Sequence, residues 1–501
     1  MSQYQDARTL HHKGKTLLKS GLYEEALASF DTALAQEPDW YEAWYERGKA
    51  LRALDRLEEA LASYDKALAL RPDDYWAWYK RGNVLDELGR IDAALDSYDR
   101  ALALRPDDYW AWYRRGEALR RQGNYQEAVN CYQQALTIEP RDYWSHYRCG
   151  DAMFGMGNYQ EAAQYYEKAL EIEPKDFLCH YWRGEALFAL GEILAAAESY
   201  GKAIEIKPQD YLVNYRYAEV LFALDRYPEA IQCYEKAAEI APEAEATWYK
   251  WGEVLEELGR YQEAVECYEK AIQISPNFYE AWNLRGIALR NLEKDQEALA
   301  SFEKALEINP QYPTAWFNRG DVLANLGRWR SAIASYDKTL NFVPNYADAW
   351  NNRGIALVML GHYEAGLESF DLAISYRSDY PRAWHNRAQT LYKLGYYQEA
   401  IDSFNQALAI QPDYPEAFTW QNRALAFMYL GKFAEAITDF NKAIDINPDD
   451  SEIWYHKACC HAKQGEIELA RNSLEQAIKI NPDFYKNKLN IDPDLDKIRW
   501  D

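Results

Sequence analysis

Six tyrosines fall at one register of the chain: Tyr79, Tyr113, Tyr147, Tyr181, Tyr215 and Tyr249, each 34 residues after the last. The residue that follows is cationic in five of them: Lys80, Arg114, Arg148, Arg216 and Lys250, with Trp182 as the exception. Three residues before the first three tyrosines stand Trp76, Trp110 and Trp144. Aromatic rings beside Arg and Lys are the composition of binding hot spots, so the chemistry on offer is recognition. Further along, the register of the cations carries Asn318, Asn352, Asn386 and Asn422. An asparagine amide offers a donor and an acceptor to a peptide backbone. Each set has a plainer reading. Glu117, Asp151, Glu219 and Glu253 follow a cation by three residues, the spacing of ordinary helix ion pairs. The tryptophans could pack between repeats, and the asparagines could be a polar surface position copied by duplication.

Bond-making chemistry is missing. No Gly-rich phosphate loop, dinucleotide fingerprint or nucleophile elbow occurs. His456 and Cys459 lie one helical turn apart, but Cys460 and His461 face elsewhere, so a metal site there lacks a second ligand pair. His11 and His12 read as an exposed pair at the start of the array. The expectation is a chain that is not an enzyme and holds no cofactor or metal.

These columns need an element that repeats, and the chain supplies one. Prolines recur every 34 residues from Pro38 to Pro344; Ser378 and Pro412 keep the interval, Pro448 comes 36 later, and Pro482 restores it. A fixed period of this size marks a stacked array. With Tyr75 as position 1, apolar or small residues at Trp78, Gly82, Val84, Leu85 and Leu88 have helical spacing. Gly89-Arg90 breaks the run. Ile91, Ala94, Tyr98, Ala101, Leu102 and Leu104 form a second helical pattern, which Pro106 stops. Each repeat is thus a helix A, a tight turn and an antiparallel helix B. Positions 2, 5, 6, 9 and 13 share one face of helix A.

The set Trp44, Gly48, Leu51, Ala60, Tyr64, Ala67 and Pro72 resembles the tetratricopeptide repeat (TPR) signature, and comparable sets recur along the chain. The Asn-Arg-Gly and Ser-Tyr-Asp-Lys-Ala-Leu variants resemble bacterial, cyanobacterial-type arrays. The departures are His146, His180 and Asn214 in place of Trp, and Ala218 and Ala388 in place of Gly; those repeats are expected to pack less tightly. The resemblance implies an all-α fold, an α-solenoid wound as a right-handed superhelix of stacked helix-turn-helix repeats. It implies a concave groove lined by the A helices. The asparagine column is similar to the asparagine ladder in the TPR part of O-GlcNAc transferase. The Lys/Asn pattern of the chaperone-tail carboxylate clamp is absent, since no repeat has Lys at position 5.

The expected organisation is 14 repeats over residues 1–482, with an insertion near 415–416, then a capping segment at 483–501 that contains Leu489, Ile491, Leu495, Ile498 and Trp500. Arginines at position 7, among them Arg47, Arg81, Arg115, Arg183, Arg285, Arg319, Arg353, Arg387 and Arg423, read as structural. The formal charge of −24 argues against a nucleic-acid partner. Seven cysteines without a CxxC pair, no apolar leader and no apolar run of membrane length point to a reduced cytoplasmic setting without membrane insertion. The function that fits is a non-catalytic scaffold or adaptor binding an extended protein segment, in two zones: aromatic and mixed-charge in repeats 3–8, Asn-lined in repeats 10–13. The alternatives are a self-assembling structural solenoid or an assembly factor for a multi-subunit complex. In solution the chain is expected to be a monomer or to associate weakly end to end.

Overall fold

Every 34-residue unit folds to the same two helices. A computed structural model describes residues 6–411 and 417–482; the expected insertion near 415–416 and capping segment 483–501 lie outside the described residues. In repeat 3, helix A spans Tyr75–Glu87 and helix B spans Ile91–Leu104. The carboxylate of Asp74 caps helix A by accepting the Ala77 N–H at 2.7 Å, and Asp108, Asp142, Asp176 and Asp210 cap their own helices likewise. Gly89 turns the chain at φ +72°, a left-handed conformation that costs glycine nothing. Among the described residues 28 helices follow in this way and no strand occurs. The chain divides into two units, residues 1–243 and 244–501. Within each, helix A packs on its own helix B, and helix B on the next helix A. Each unit is an all-α solenoid.

Close approach makes the pairing possible. A Cβ built on Gly82 would lie 2.7 Å from the ring of Tyr98, so the ring at position 24 rests directly on the backbone of helix A. Ala94 and Ala101 are fully buried and let helix B approach both neighbouring A helices. Ala218 and Ala388 stand in place of this glycine and are themselves fully buried.

The indole at position 4 ties each repeat to its own entry. Trp78 Nε1 donates to the Pro72 carbonyl at 2.8 Å, and Trp112 repeats the bond to Pro106 at 2.8 Å. His146 and His180 reach Pro140 and Pro174 at 3.0 Å through Nε2, and the Asn214 amide donates to Pro208 at 3.0 Å. The substituted repeats therefore keep the donor and lose only ring area.

Position 7 braces three helices. Arg319 donates to Glu303 of the preceding helix B at 2.9 Å and to Ser335 of its own helix B at 2.8 Å, with its guanidinium 5.7 Å from the Trp316 ring centroid. Arg47, Arg81, Arg183, Arg285, Arg353 and Arg387 make the same carboxylate and serine bonds. In repeat 4 Cys131 takes the place of the serine, 3.0 Å from Arg115.

Two measurements check these assignments. Asp55, Asp225 and Glu293 occupy the left-handed turn at φ near +60°, where other repeats have glycine. Glu293→Gly is expected to raise the denaturant midpoint, with a gain of about 0.5–1 kcal/mol after the entropy cost of glycine is counted. Arg319→Met keeps the stem and removes the fork. It should cost about 1–2 kcal/mol in urea unfolding; an unchanged midpoint would show that the brace does not stabilise the stack.

Candidate protein-binding face

Helix A positions 2, 5, 6 and 9 form one continuous face in each unit, and its residues differ sharply in exposure. In unit 1 the position-2 side chains are open: Trp76 is 44% exposed, Trp110 56% and Trp144 55%. Leu178 and Leu212, at the same register of repeats 6 and 7, are also exposed. Sequence reasoning singled out only the tryptophans, although the register was visible to Leu212. Each Trp makes edge contact with the tyrosines on either side of it, as Trp76 does with Tyr75 and Tyr79 at 5.0 and 6.1 Å.

The position-5 tyrosines form the wall beneath. Tyr79 and Tyr147 are buried, and Tyr113, Tyr181, Tyr215 and Tyr249 are half-buried. Each ring packs on the position-24 tyrosine of its own repeat at 5.7–6.2 Å between centroids. Tyr113 and Tyr181 lie near Arg148 and Arg216 of the next repeat. Burial raises the phenol pKa of both, so they stay neutral.

The cations at position 6 fall into two groups. Arg148 pairs with Glu117 at 3.2 Å and Asp151 at 2.8 Å; Arg216 pairs with Glu185 at 3.1 Å and Glu219 at 2.9 Å. Lys250, in unit 2, pairs with Glu253 at 2.7 Å. For these three the simple ion-pair reading of the sequence holds. Lys80 and Arg114 have no carboxylate within 4.0 Å among the described residues. Burial, then neighbouring Arg52, Lys49 and Arg114, push the Lys80 ammonium below the usual lysine range. Trp182, at the same register, is half-buried in edge contact with Phe154 and Tyr181.

In unit 2 the asparagines bind one another. Asn318 is buried and donates to Asn283 at 3.2 Å; Asn386 donates to Asn351 at 2.9 Å. Asn352 donates to Asp321 and accepts from Asn351, both at 3.0 Å. Asn422 is buried and its amide nitrogen has no partner among the described residues. Only Asn352 and Asn386 are partly open. Asn283 and Asn351, one register earlier, were the signal for this pairing. A cavity of about 510 Å³ beside Asn352 is also walled by Asp321, Arg290 and Trp329.

No constellation for bond chemistry emerges among the described residues, and no group of three or more His, Cys, Asp or Glu side chains could hold a metal ion. His461 is bonded to Glu466 at 2.6 Å. No described helix is long and apolar enough to cross a membrane.

With this geometry in place, the chain can be set beside known proteins. Among solved structures it is similar to YrrB, titled a TPR protein with an unusual peptide-binding site, at 30% identity over 38% of this chain and 97% of that one, with a TM-score of 0.34. It is similar to the anaphase-promoting complex assembly Cut9–Hcn1 at 17% identity over 97% and 96%, with a TM-score of 0.39. A tetratricopeptide repeat protein from Parabacteroides merdae matches at 23% over 49% and 97%, with a TM-score of 0.38. No curated protein sequence matches the chain. Residues 155–237 match the family profile described as anaphase-promoting complex, cyclosome, subunit 3. Tetratricopeptide repeat profiles match residues 12–75, 79–143, 119–181, 249–313, 301–334, 381–414, 417–450 and 451–484, and TPR repeat profiles match 218–259 and 320–361. Matched over most of its length, and built of the paired helices those profiles describe, the chain belongs to the tetratricopeptide repeat family.

Proposed function

We propose that the chain is a non-catalytic interaction scaffold that holds an extended protein segment along the A-helix face of its first unit. One observation carries this reading: the exposed apolar column Trp76, Trp110, Trp144, Leu178 and Leu212, one side chain per repeat. A large exposed apolar surface rimmed by polar groups marks an interaction site. The rim here is Lys80, Arg114, Arg148 and Arg216, and the tyrosines beneath hold the indoles upright. Unit 2 is the weaker candidate, because the amides of Asn318 and Asn386 are spent on Asn283 and Asn351. Asn352 and Asn386 remain the residues through which a second zone would act.

Peptides selected from a displayed random library on the full chain test the reading. Trp110→Ala and Trp144→Ala should each weaken a selected peptide at least ten-fold while shifting the unfolding free energy by less than about 0.5 kcal/mol. Trp112→Ala, at the packed register, should instead cost about 3–5 kcal/mol. Alanine at Asn318, Asn352, Asn386 and Asn422 together should leave the peptide bound. Selected peptides indifferent to all the tryptophans would overturn the assignment.

A further inference from the structure

A contact inside the repeats links packing to the binding face. In five repeats with tyrosine at position 24, its buried hydroxyl donates to an acceptor at position 9 of the same repeat. Tyr98 donates to Asn83 at 2.9 Å, Tyr132 to Glu117 at 2.6 Å, Tyr166 to Asp151 at 3.1 Å, Tyr200 to Glu185 at 2.7 Å and Tyr336 to Asp321 at 2.9 Å. Tyr268 uses Glu256 instead, at 2.9 Å. Position 24 is Phe302, Phe370 or Phe440 where position 9 is Ile287, Ile355 or Leu425, which accept nothing, whereas Phe404 goes with Gln389 and Phe30 with Lys15.

Repeat 2 has no acceptor at position 9. Its position 24 is Tyr64, fully buried, and its position 9 is Lys49, a pure donor. Among the described residues the Tyr64 hydroxyl is buried without a partner. A buried polar group in that state is costly, which asks for an acceptor from outside. Tyr64 forms part of the wall of a cavity of about 370 Å³, with Lys49, Arg52, Lys80 and Glu87 around it. Lys49 pairs with Glu46 at 2.8 Å, and Arg52 with Glu87. Lys80 has no such partner among the described residues, so one of the three cations lining the cavity is left unpaired. That surplus matches a monoanion. Trp76 and Trp110 continue the face beyond the cavity.

Building on the scaffold reading, we propose that this cavity is a subsite for one carboxylate of the bound segment. The carboxylate accepts from the Tyr64 hydroxyl and the Lys49 and Lys80 ammonium groups, while the segment's apolar side chains lie on Trp76 and Trp110. The carboxylate belongs to an Asp or Glu side chain or to a chain terminus.

Fluorescence anisotropy with the full chain separates these cases. The probes are three labelled nonapeptides: alternating Leu and Glu with an amidated end, the same with Gln for Glu, and the Gln peptide with a free terminal carboxylate. The amidated Glu peptide should bind at least ten-fold more tightly than the amidated Gln peptide; the same gain for the free-ended Gln peptide alone would assign the subsite to a terminus. Lys80→Gln should bring the carboxylate peptide within two-fold of the neutral one. Lys49→Asn, which recreates the acceptor found at Asn83, should do the same. Tyr64→Phe should weaken the carboxylate peptide about three- to ten-fold without lowering the unfolding midpoint, a split that a packing role would not give. Lys250→Gln should change nothing. Equal binding of all three peptides, or a preference that survives Lys49→Asn and Lys80→Gln, would overturn the inference. So would displacement of the Glu peptide by inorganic phosphate as effective as by glutarate. If the peptides bind equally and Trp110→Ala weakens them all, the subsite falls and the apolar column stands.

Discussion

The contact between a glycine and an aromatic ring sets everything else in the repeat. With no Cβ at position 8, the ring at position 24 presses onto the backbone of helix A, as Tyr98 does on Gly82. That closeness fixes how far helix B can lie from helix A, and the alanines at Ala94 and Ala101 keep the same distance on either side. It also fixes where the ring ends. Long enough to cross the helix pair, a tyrosine there carries its hydroxyl to the position-9 register of helix A, as Tyr98 does to Asn83. A phenylalanine closes the pair without raising the question, whereas a buried tyrosine hydroxyl without an acceptor is costly.

Charge is then distributed by the same geometry. The guanidinium groups at position 7 are drawn inward, each held by the preceding helix B and its own serine. They tie neighbouring repeats together and leave little for a ligand. The cations at position 6 stay on the open face, but most are neutralised by carboxylates 31 residues earlier or three residues later, as Arg148 is by Glu117 and Asp151. Three of those carboxylates, Glu117, Asp151 and Glu185, also accept from tyrosine hydroxyls. Replacing a position-9 carboxylate by Lys49 thus does two things at once: it strands a hydroxyl and removes the counter-charge of the next repeat's cation, Lys80. The surplus charge and the orphaned hydroxyl in repeat 2 share one cause.

The helices were legible in the sequence because each is decided within a single period. Asp at the last position, Gly at the turn and Pro after helix B mark the ends, and the helices begin at positions 1 and 17 as the apolar spacing requires. The sequence left the tryptophans open between packing and exposure, and the structure leaves Trp76, Trp110 and Trp144 exposed because position 2 lies off the packed stripe. What escaped the sequence are pairings between side chains some 31 to 35 residues apart. The asparagines looked open because their partners, Asn283 and Asn351, sit one register back in the preceding repeat. The repeats that lack Trp looked weakened because ring area was counted and the indole N–H was not; His146, His180 and Asn214 preserve that donor. Periodicity reports which face a residue occupies, and only the stacked geometry reports what stands opposite.

A chain with 80 acidic and 56 basic residues looks a poor host for an acidic partner. Distance resolves the difficulty. Exposed charges are screened over about 8 Å at physiological ionic strength, so the net charge governs encounter between molecules while the pocket acts only on what has entered it. A long polyanion meets repulsion along most of the array. A segment with one carboxylate and apolar neighbours avoids most of that repulsion, desolvates the indoles and answers Tyr64. Selection by register then follows, because the carboxylate must reach repeat 2 while its apolar neighbours reach repeats 3 and 4.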